Sequence, residues 1–194
     1  MRYRIALRQS ERSRMHPVLV RRGVAADAPA LAALAARTFA DTFAADNRPE
    51  DLQAHLASSY GVRQQSAELA DPDVVTLLAH WDGVLVAYAQ VRRKPPPPCV
   101  TEGQAVELHR FYVDRAAHGR GVAGQLMLPV HGAARELGGR YLWLGVWERN
   151  PRAIAFYAKS GFVHVGSHDF FVGTDRQTDH VFVAPVREPG GGAA

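Results

Sequence analysis

The chain has 194 residues, 47% hydrophobic and 22% charged, which allows one good core, is short for two domains, and lies outside the range of disordered chains. Its single cysteine, Cys99, excludes an internal disulfide framework and an all-cysteine metal site, and no stretch approaches the roughly 20 apolar residues of a bilayer helix. The net charge of +4 belongs to residues 1–16, where Arg2, Arg4, Arg8, Arg12 and Arg14 face only Glu11; beyond them 18 basic and 18 acidic groups cancel, which argues against a nucleic-acid surface.

The opening run, Met1 to Arg8, is charged and has no apolar h-region, so no export signal is expected and the expected location is cytoplasmic. Met15 stands just before the first strand signal. Residues 1–16 therefore read as a basic extension, either an unstructured arm or a start assigned too early. One domain over 17–186 and a tail over 187–194 follow.

Val18–Arg22 reads as a short strand. Asp27, Pro29 and the spacing of Leu31, Leu34, Ala35 and Thr38 predict a helix capped by Asp27. Further helices are expected from Pro49 to Tyr60 and from Val62 to about Ala70. Val74–Trp81 and Val84–Arg92, joined at Asp82-Gly83, form a hairpin. Pro95–Pro98 is a stiff connector. Ala105–Val113 reads as a strand with Glu107, His109, Phe111 and Val113 on one face. After a glycine-bearing turn, Val122, Leu126, Val130, Ala133 and Leu137 mark a helix that Pro129 should kink and Gly138-Gly139 end. Tyr141–Trp147 is the next strand. Asn150-Pro151 caps a helix that presents Ile154, Tyr157 and Ala158 on one face and closes at Gly161. Phe162–Phe171 and Asp179–Val186 are the last strands, joined across Gly173–Thr178. The order β-α-α-β-β-β-α-β-α-β-β gives an α/β fold with a mixed sheet.

Gly119, Gly121 and Gly124 match G-x-G-x-x-G between a strand and a helix, with Glu148 at the end of the next strand. Asp114–His118 separate the match from its strand, and the chain after Trp147 is too short for a dinucleotide half-fold. What the turn does supply is a run of amides, His118 to Gly124, at a helix N-terminus, which suits a pyrophosphate whatever is attached to it. An ordinary strand-to-helix turn is the plain alternative. No phosphate-binding G-x-x-x-x-G-K-[ST] is present.

Two stretches carry a family likeness: His118-Gly119-Arg120-Gly121-Val122-Ala123 with Gly124, and Asn150-Pro-Arg-Ala-Ile-Ala-Phe-Tyr157-Ala-Lys159-Ser-Gly161-Phe162. Together they resemble the GNAT superfamily of N-acetyltransferases, with His118 where arginine or glutamine is usual. The resemblance covers about residues 18–186. It implies an α/β GNAT fold, a mixed, mostly antiparallel seven-stranded sheet flanked by about four helices. Leu142–Asn150, Asp169–Asp179 and Thr42-Phe with Asn47 and Pro49-Glu-Asp are similar to the Pai-type polyamine N-acetyltransferases of bacteria. The implied chemistry is acetyl transfer from acetyl-CoA, without a metal, to a primary amine in a ternary complex. Spermidine or spermine is the acceptor under the narrower likeness, and a homodimer is plausible because many relatives associate. Nucleic acid and membrane are not expected partners.

Acetyl transfer from a thioester needs a held cosubstrate, a neutral amine, a stabilised oxyanion and a protonated leaving thiolate. An alkylamine of pKa about 10.4 is neutral in roughly one part per thousand near pH 7.4, a cost of about 4 kcal/mol. Positioned acid–base groups recover part of that. Glu107 is the candidate base, directly or through a water, with His109 behind it; a solvated glutamate or a partner for Arg110 is the plain alternative. The resemblance gives Tyr157 the role of acid toward the thiolate, against a core tyrosine beside Ile154. Main-chain groups of Phe111, Tyr112 and Val113 should meet the pantetheine arm and approach the acetyl carbonyl. Asn150 could contact the cosubstrate as well as cap its helix, and Arg120 and Lys159 suit its phosphates.

Cys99, beside four prolines and far from both motifs, is a poor nucleophile, so no acetyl-enzyme is expected. His164 and His168 lie about 13 Å apart along a strand with no third ligand, so no zinc site is expected. Trp143 and Trp147 read as core. Asp41, Asp46, Glu50 and Asp51, with Asp169, Asp175 and Asp179, would give a polycation an acidic approach. The competing readings are a catalytically weak acyl-CoA-binding regulator and an N-acetyltransferase of protein N-termini or other small amines.

Overall fold

The computed structural model describes residues 18–188. The expected basic extension over 1–16 and positions 189–194 of the expected tail lie outside the described residues. The elements in chain order are β1 (Leu19–Arg22), α1 (Ala28–Phe43), α2 (Pro49–Ser59), α3 (Val62–Ala70), β2 (Val74–Trp81), β3 (Val84–Arg92), β4 (Ala105–Val113), α4 (Val122–Glu136), β5 (Tyr141–Trp147), α5 (Pro151–Lys159), β6 (Val163–Val172) and β7 (Asp175–Pro185). With α3 counted, five α-helices flank the sheet.

The strands form one seven-stranded sheet in the order β1-β2-β3-β4-β5-β7-β6. Every neighbouring pair is antiparallel except β4 with β5. One sheet face packs on α4 and α5 through Leu126, Val130, Ala133 and Tyr157. The other packs on α1 and the end of α2 through Leu31, Leu34, Phe39 and Tyr60. No helix among the described residues is long and apolar enough to cross a membrane.

Local chemistry accounts for most boundaries. Asp82 (φ 50°) and Gly83 (φ 77°) both take positive φ, the geometry a two-residue hairpin turn demands. Leu31, Leu34, Ala35 and Thr38 are all buried on α1, as their spacing predicts. Asp27 does not cap that helix with its side chain. Its carboxylate instead accepts from Arg21 at 2.6 and 2.7 Å and from the Val24 amide at 2.8 Å, so the guanidinium outcompetes the helix amides. Pro129 sits inside α4, which runs unbroken from Val122 to Glu136. Ala158, expected on the packed face of α5, is exposed.

The last hairpin is tighter than expected. Only Gly173 and Thr174 lie between paired Val172 and Asp175, so Asp175–Thr178 belong to β7. Their polarity reads as loop, but α2 and the turn before it hold this tip: Asp51 accepts from the Thr174 amide at 2.9 Å, and Gln177 donates to Asn47 at 2.7 Å.

Candidate active site

β4 and β5 pair only over Ala105–Glu107 and Tyr141–Trp143. Beyond these residues the two strands part, leaving main-chain edges facing a gap. The Asp114 amide donates to Val86 at 2.7 Å, toward β3. By the alternation of an antiparallel ladder, Tyr112 also turns its N–H and C=O to β3, whereas Phe111 and Val113 turn theirs to the gap. Tyr112 therefore drops out of the expected main-chain trio, although its ring lines the cavity described below. The Val113 carbonyl is already engaged, accepting from His118 Nε2 at 2.9 Å.

A one-residue bulge breaks β4. Arg110 pairs with Gln90 and Leu108 with Val91, so His109 has no partner on β3. The bulge overturns the expectation that Glu107, His109, Phe111 and Val113 share a face. Phe111 and Val113 pack toward α5, with the Phe111 ring 5.5 Å from Phe156 and 6.3 Å from Tyr157. Arg110 and Tyr112 turn the other way, Arg110 to Glu68 and Tyr112 to Phe39 and Tyr88.

The glycine turn follows β4. Gly119 (φ +74°) and Gly121 (φ +75°) adopt left-handed conformations that suit glycine, and Gly121 is the N-cap of α4. The turn's hydrogen bonds stop at His118 N–H to Arg115 and resume at Gln125 N–H to Gly121. The run of open amides is therefore Gly119, Arg120, Gly121, Val122, Ala123 and Gly124, one shorter than expected, because the His118 amide is taken. The His118 ring braces the turn between the Val113 carbonyl and Arg152 of α5. Arg120 lies 4.3 Å over the Trp81 ring. Lys159 is exposed in the last turn of α5, about 10 Å along the helix from Arg152, so Arg152 is the α5 cation at the turn.

A cavity of about 310 Å³ opens where the strands part. Glu107, His109, Asn150, Tyr157, His168 and Asp179 line it together with an aromatic wall that includes Phe39, Phe43, Tyr60, Trp147 and Phe170. Asn150 Oδ1 accepts from the Ala153 amide at 3.1 Å, which caps α5 at the cavity rim. Tyr157 is buried and set edge-on to Phe156 and Phe162, with ring centroids 5.5 and 5.7 Å away. Burial, then the charge of Asp179, pushes its phenol well above the ordinary value.

Glu107 is held by basic side chains. It accepts from Arg92 Nε, with Lys94 Nζ at 3.8 Å and His109 Nδ1 at 3.7 Å. Burial raises its pKa, but the bonds to His109 and Arg92 outweigh this and hold it at about 2. Arg92 replaces Arg110 as its partner because Arg92 stands directly across from Glu107 on β3, whereas Arg110 is committed to Glu68 and Gln90.

Asp179 behaves oppositely. Burial outweighs the nearby His168 and raises its pKa to about 6. Its counterparts in the expected acidic approach are elsewhere. Asp51 is buried and pairs with Arg48 at 2.6 Å, Asp169 with Arg176 at 3.0 Å, Glu50 with Arg48 at 3.8 Å and Asp46 with Arg149 at 3.9 Å. Asp175 accepts from Gln177 at 2.8 Å, and Asp41 is exposed. Of the seven, Asp179 alone lines the cavity. Cys99 packs against Gly166 outside it.

The sequence reading missed Arg92 and Lys94, and it placed Asp179 and His168 in other roles. Gly145 carries the signal for the latter pair, since a glycine inside an apolar strand marks a close approach.

The family model of the acetyltransferase (GNAT) family matches residues 36–162. An uncharacterised N-acetyltransferase of Lactobacillus delbrueckii subsp. lactis is 33% identical over 153 residues, covering 79% of this chain and 88% of that protein. The PaiA N-acetyltransferase of Thermoplasma acidophilum, solved in complex with coenzyme A, superposes with a TM-score of 0.70 at 18% identity, covering 87% of this chain and 99% of that one. The ribosomal-protein-alanine N-acetyltransferase of Brucella melitensis superposes with a TM-score of 0.63 at 26% identity, covering 86% and 99%. With the parted strands, the glycine turn and a family model spanning most of the fold, the chain belongs to the GNAT family of acetyltransferases and is an N-acetyltransferase.

Proposed function

We propose that the protein transfers the acetyl group of acetyl-CoA to a primary amine by direct attack, with both substrates bound. The observation that carries this reading is that the parted strand edge of β4 and Tyr157 meet at one cavity, and that the open amides follow directly on that strand. Bound acetyl-CoA supplies an acetyl group activated as a thioester. The amides of Gly119 to Gly124 suit its pyrophosphate, and the free edge of Phe111, with the Val113 N–H, suits the amides of its arm. The Phe111 N–H is the donor available to charge developing on the carbonyl oxygen. Tyr157 is the donor for the sulfur. No cysteine lines the cavity, which favours direct attack. An acetyl adduct on protein incubated with acetyl-CoA alone would overturn that mechanism.

For the acceptor, the aromatic wall favours an amine on an apolar or aromatic stem. Spermidine or spermine is what the Pai-type resemblance implies, and with Asp179 the one cavity carboxylate of the seven, that acceptor rests on the resemblance. A thiol-release screen over aromatic monoamines, polyamines, amino acids, aminoglycosides and peptide N-termini tests the reading. Aromatic monoamines are expected to exceed spermidine in kcat/KM. Neutralising Asp41, Asp46 and Glu50 together should leave both KM values alike; a rise for spermidine alone would restore the polyamine acceptor. Coenzyme A binding with no thiol release across the panel would instead identify an acyl-CoA-binding regulator.

Gly121→Ala should weaken coenzyme A binding about tenfold in calorimetry. An L-residue at its φ costs roughly 1–2 kcal/mol, relieved by turning the neighbouring amides away. Unchanged affinity would remove this turn from the binding site.

A further inference from the structure

Asp179 of β7, the strand beside β5, and His168 of β6, the strand beyond it, are register partners. A methyl group on Gly145 would lie 2.8 Å from both Asp179 Oδ2 and His168 Nε2, so the bare glycine makes room for the pair in the cavity wall. Asp179 is 8% exposed, and neither its Oδ1 nor His168 Nε2 meets a hydrogen-bond partner. Other buried polar atoms of the described residues also lack partners, but these two alone face the cavity.

The other ring nitrogen fixes the tautomer of His168. Nδ1 lies 2.9 Å from the Asp169 carbonyl oxygen, which can only accept, so Nδ1 carries the hydrogen. In the neutral ring Nε2 is then a lone pair beside a carboxylate. Two acceptors share one buried place, and such a place takes up a proton.

We propose that Asp179, with His168 as its cross-strand neighbour, rather than Glu107, takes the proton from the acceptor's ammonium group. This rests on the acetyl-transfer reading. Glu107 is tied to Arg92 and held at about 2, roughly eight units below an alkylammonium; Asp179, at about 6, halves that mismatch. The groups facing Asp179 are His168 from β6 and Tyr157 from α5; Arg92, Lys94, Glu107, His109, Arg110 and Tyr112, with His55 and Tyr60, also line the cavity. The ammonium gives one proton to Asp179. The freed nitrogen forms the C–N bond at the acetyl carbon as the C–S bond breaks. The nitrogen loses a second proton to water, and the leaving sulfur, held by a hydrogen bond from Tyr157, takes one from water. Asp179 returns its proton to water, so ammonium and thioester become amide, thiol and one proton.

The test compares the full chain with Asp179→Asn, Glu107→Gln and His168→Gln, using the best amine of the screen. Absence of thiol release by the unaltered protein defeats the acetyl-transfer reading itself. Given activity, Asp179→Asn should lose roughly a hundredfold or more in kcat/KM and the acid limb near pH 6, while coenzyme A affinity stays within about threefold. Glu107→Gln should keep the limb, and His168→Gln should move it to higher pH by removing the group that lowers the Asp179 pKa. Because burial favours the neutral carboxyl, Asp179→Asn should not lower the Tm at pH 8, which separates lost chemistry from lost folding. An intact limb with kcat/KM within threefold in Asp179→Asn, a limb lost only in Glu107→Gln, or an unmoved limb in His168→Gln would each overturn the assignment.

Discussion

Tyr157→Phe is expected to lower kcat by roughly two to four orders of magnitude while leaving coenzyme A affinity within about threefold. The ring is packed by Phe111, Phe156 and Phe162, and phenylalanine keeps all of those contacts. Only the hydroxyl at the cavity is lost. Burial and the charge of Asp179 both raise the phenol's pKa, so Tyr157 stays protonated across the physiological range. Full transfer from a phenol near 10 to a thiolate near 8.5 is uphill by about 2 kcal/mol even with ordinary values. The hydroxyl therefore acts chiefly as a hydrogen-bond donor that strengthens as charge builds on sulfur, an interaction of the transition state rather than the ground state. Single-turnover thiol release and calorimetry on the same preparation check the two halves. An unchanged kcat would return Tyr157 to the core; equal losses in affinity and turnover would make it a binding residue.

What the sequence made legible was local. The Asp82-Gly83 turn, the Asn150-Pro151 cap and the buried spacing of α1 and α4 each depend on neighbours within a few residues, and the structure carries all of them. The β4 bulge was not legible, because Ala105–Val113 suits a strand at every position. The extra residue shows only in the offset between Gln90–Arg110 and Val91–Leu108. That offset put Phe111 and Val113 on the face opposite Glu107, which pairs across the strands with Arg92. Likewise, the place shared by Asp179 and His168 needs β5, β6 and β7 side by side, and its trace in the sequence is one glycine in Tyr141–Trp147. The tip of the last hairpin was misread because its strand residues are polar and are fixed by α2 and the turn before it, far away in sequence.

Arg110→Met should destabilise the protein by about 3–5 kcal/mol, lowering Tm by roughly 10 °C, the second large effect expected here. Arg110 leaves the bulge toward α3 and is itself buried. It donates to Glu68 at 2.5 Å, to Gln90 at 2.7 Å and to the Ser59 carbonyl at 3.2 Å, and lies 4.7 Å from the centre of the Tyr60 ring. One side chain thus ties β4 to α3 and to the end of α2, behind the aromatic wall of the cavity. Methionine fills much of the volume but strands the Glu68 carboxylate. Burial alone would raise the Glu68 pKa; Arg110 and its other hydrogen bonds reverse that and lower it. A lowered carboxylate pKa gives stability that is present above the unfolded value and lost as pH falls through the folded one. Without Arg110, burial acts with less opposition and the stranded carboxylate is relieved by protonation, so the deficit should be largest at pH 7 and narrow toward pH 5. Removing both charges, Arg110→Met with Glu68→Leu, should recover most of the loss, because an apolar pair leaves no buried ion behind. Circular-dichroism melts of the three variants at both pH values measure this. A double variant as unstable as Arg110→Met alone would place the loss in the contacts to Gln90, Ser59 and Tyr60 rather than in the stranded charge.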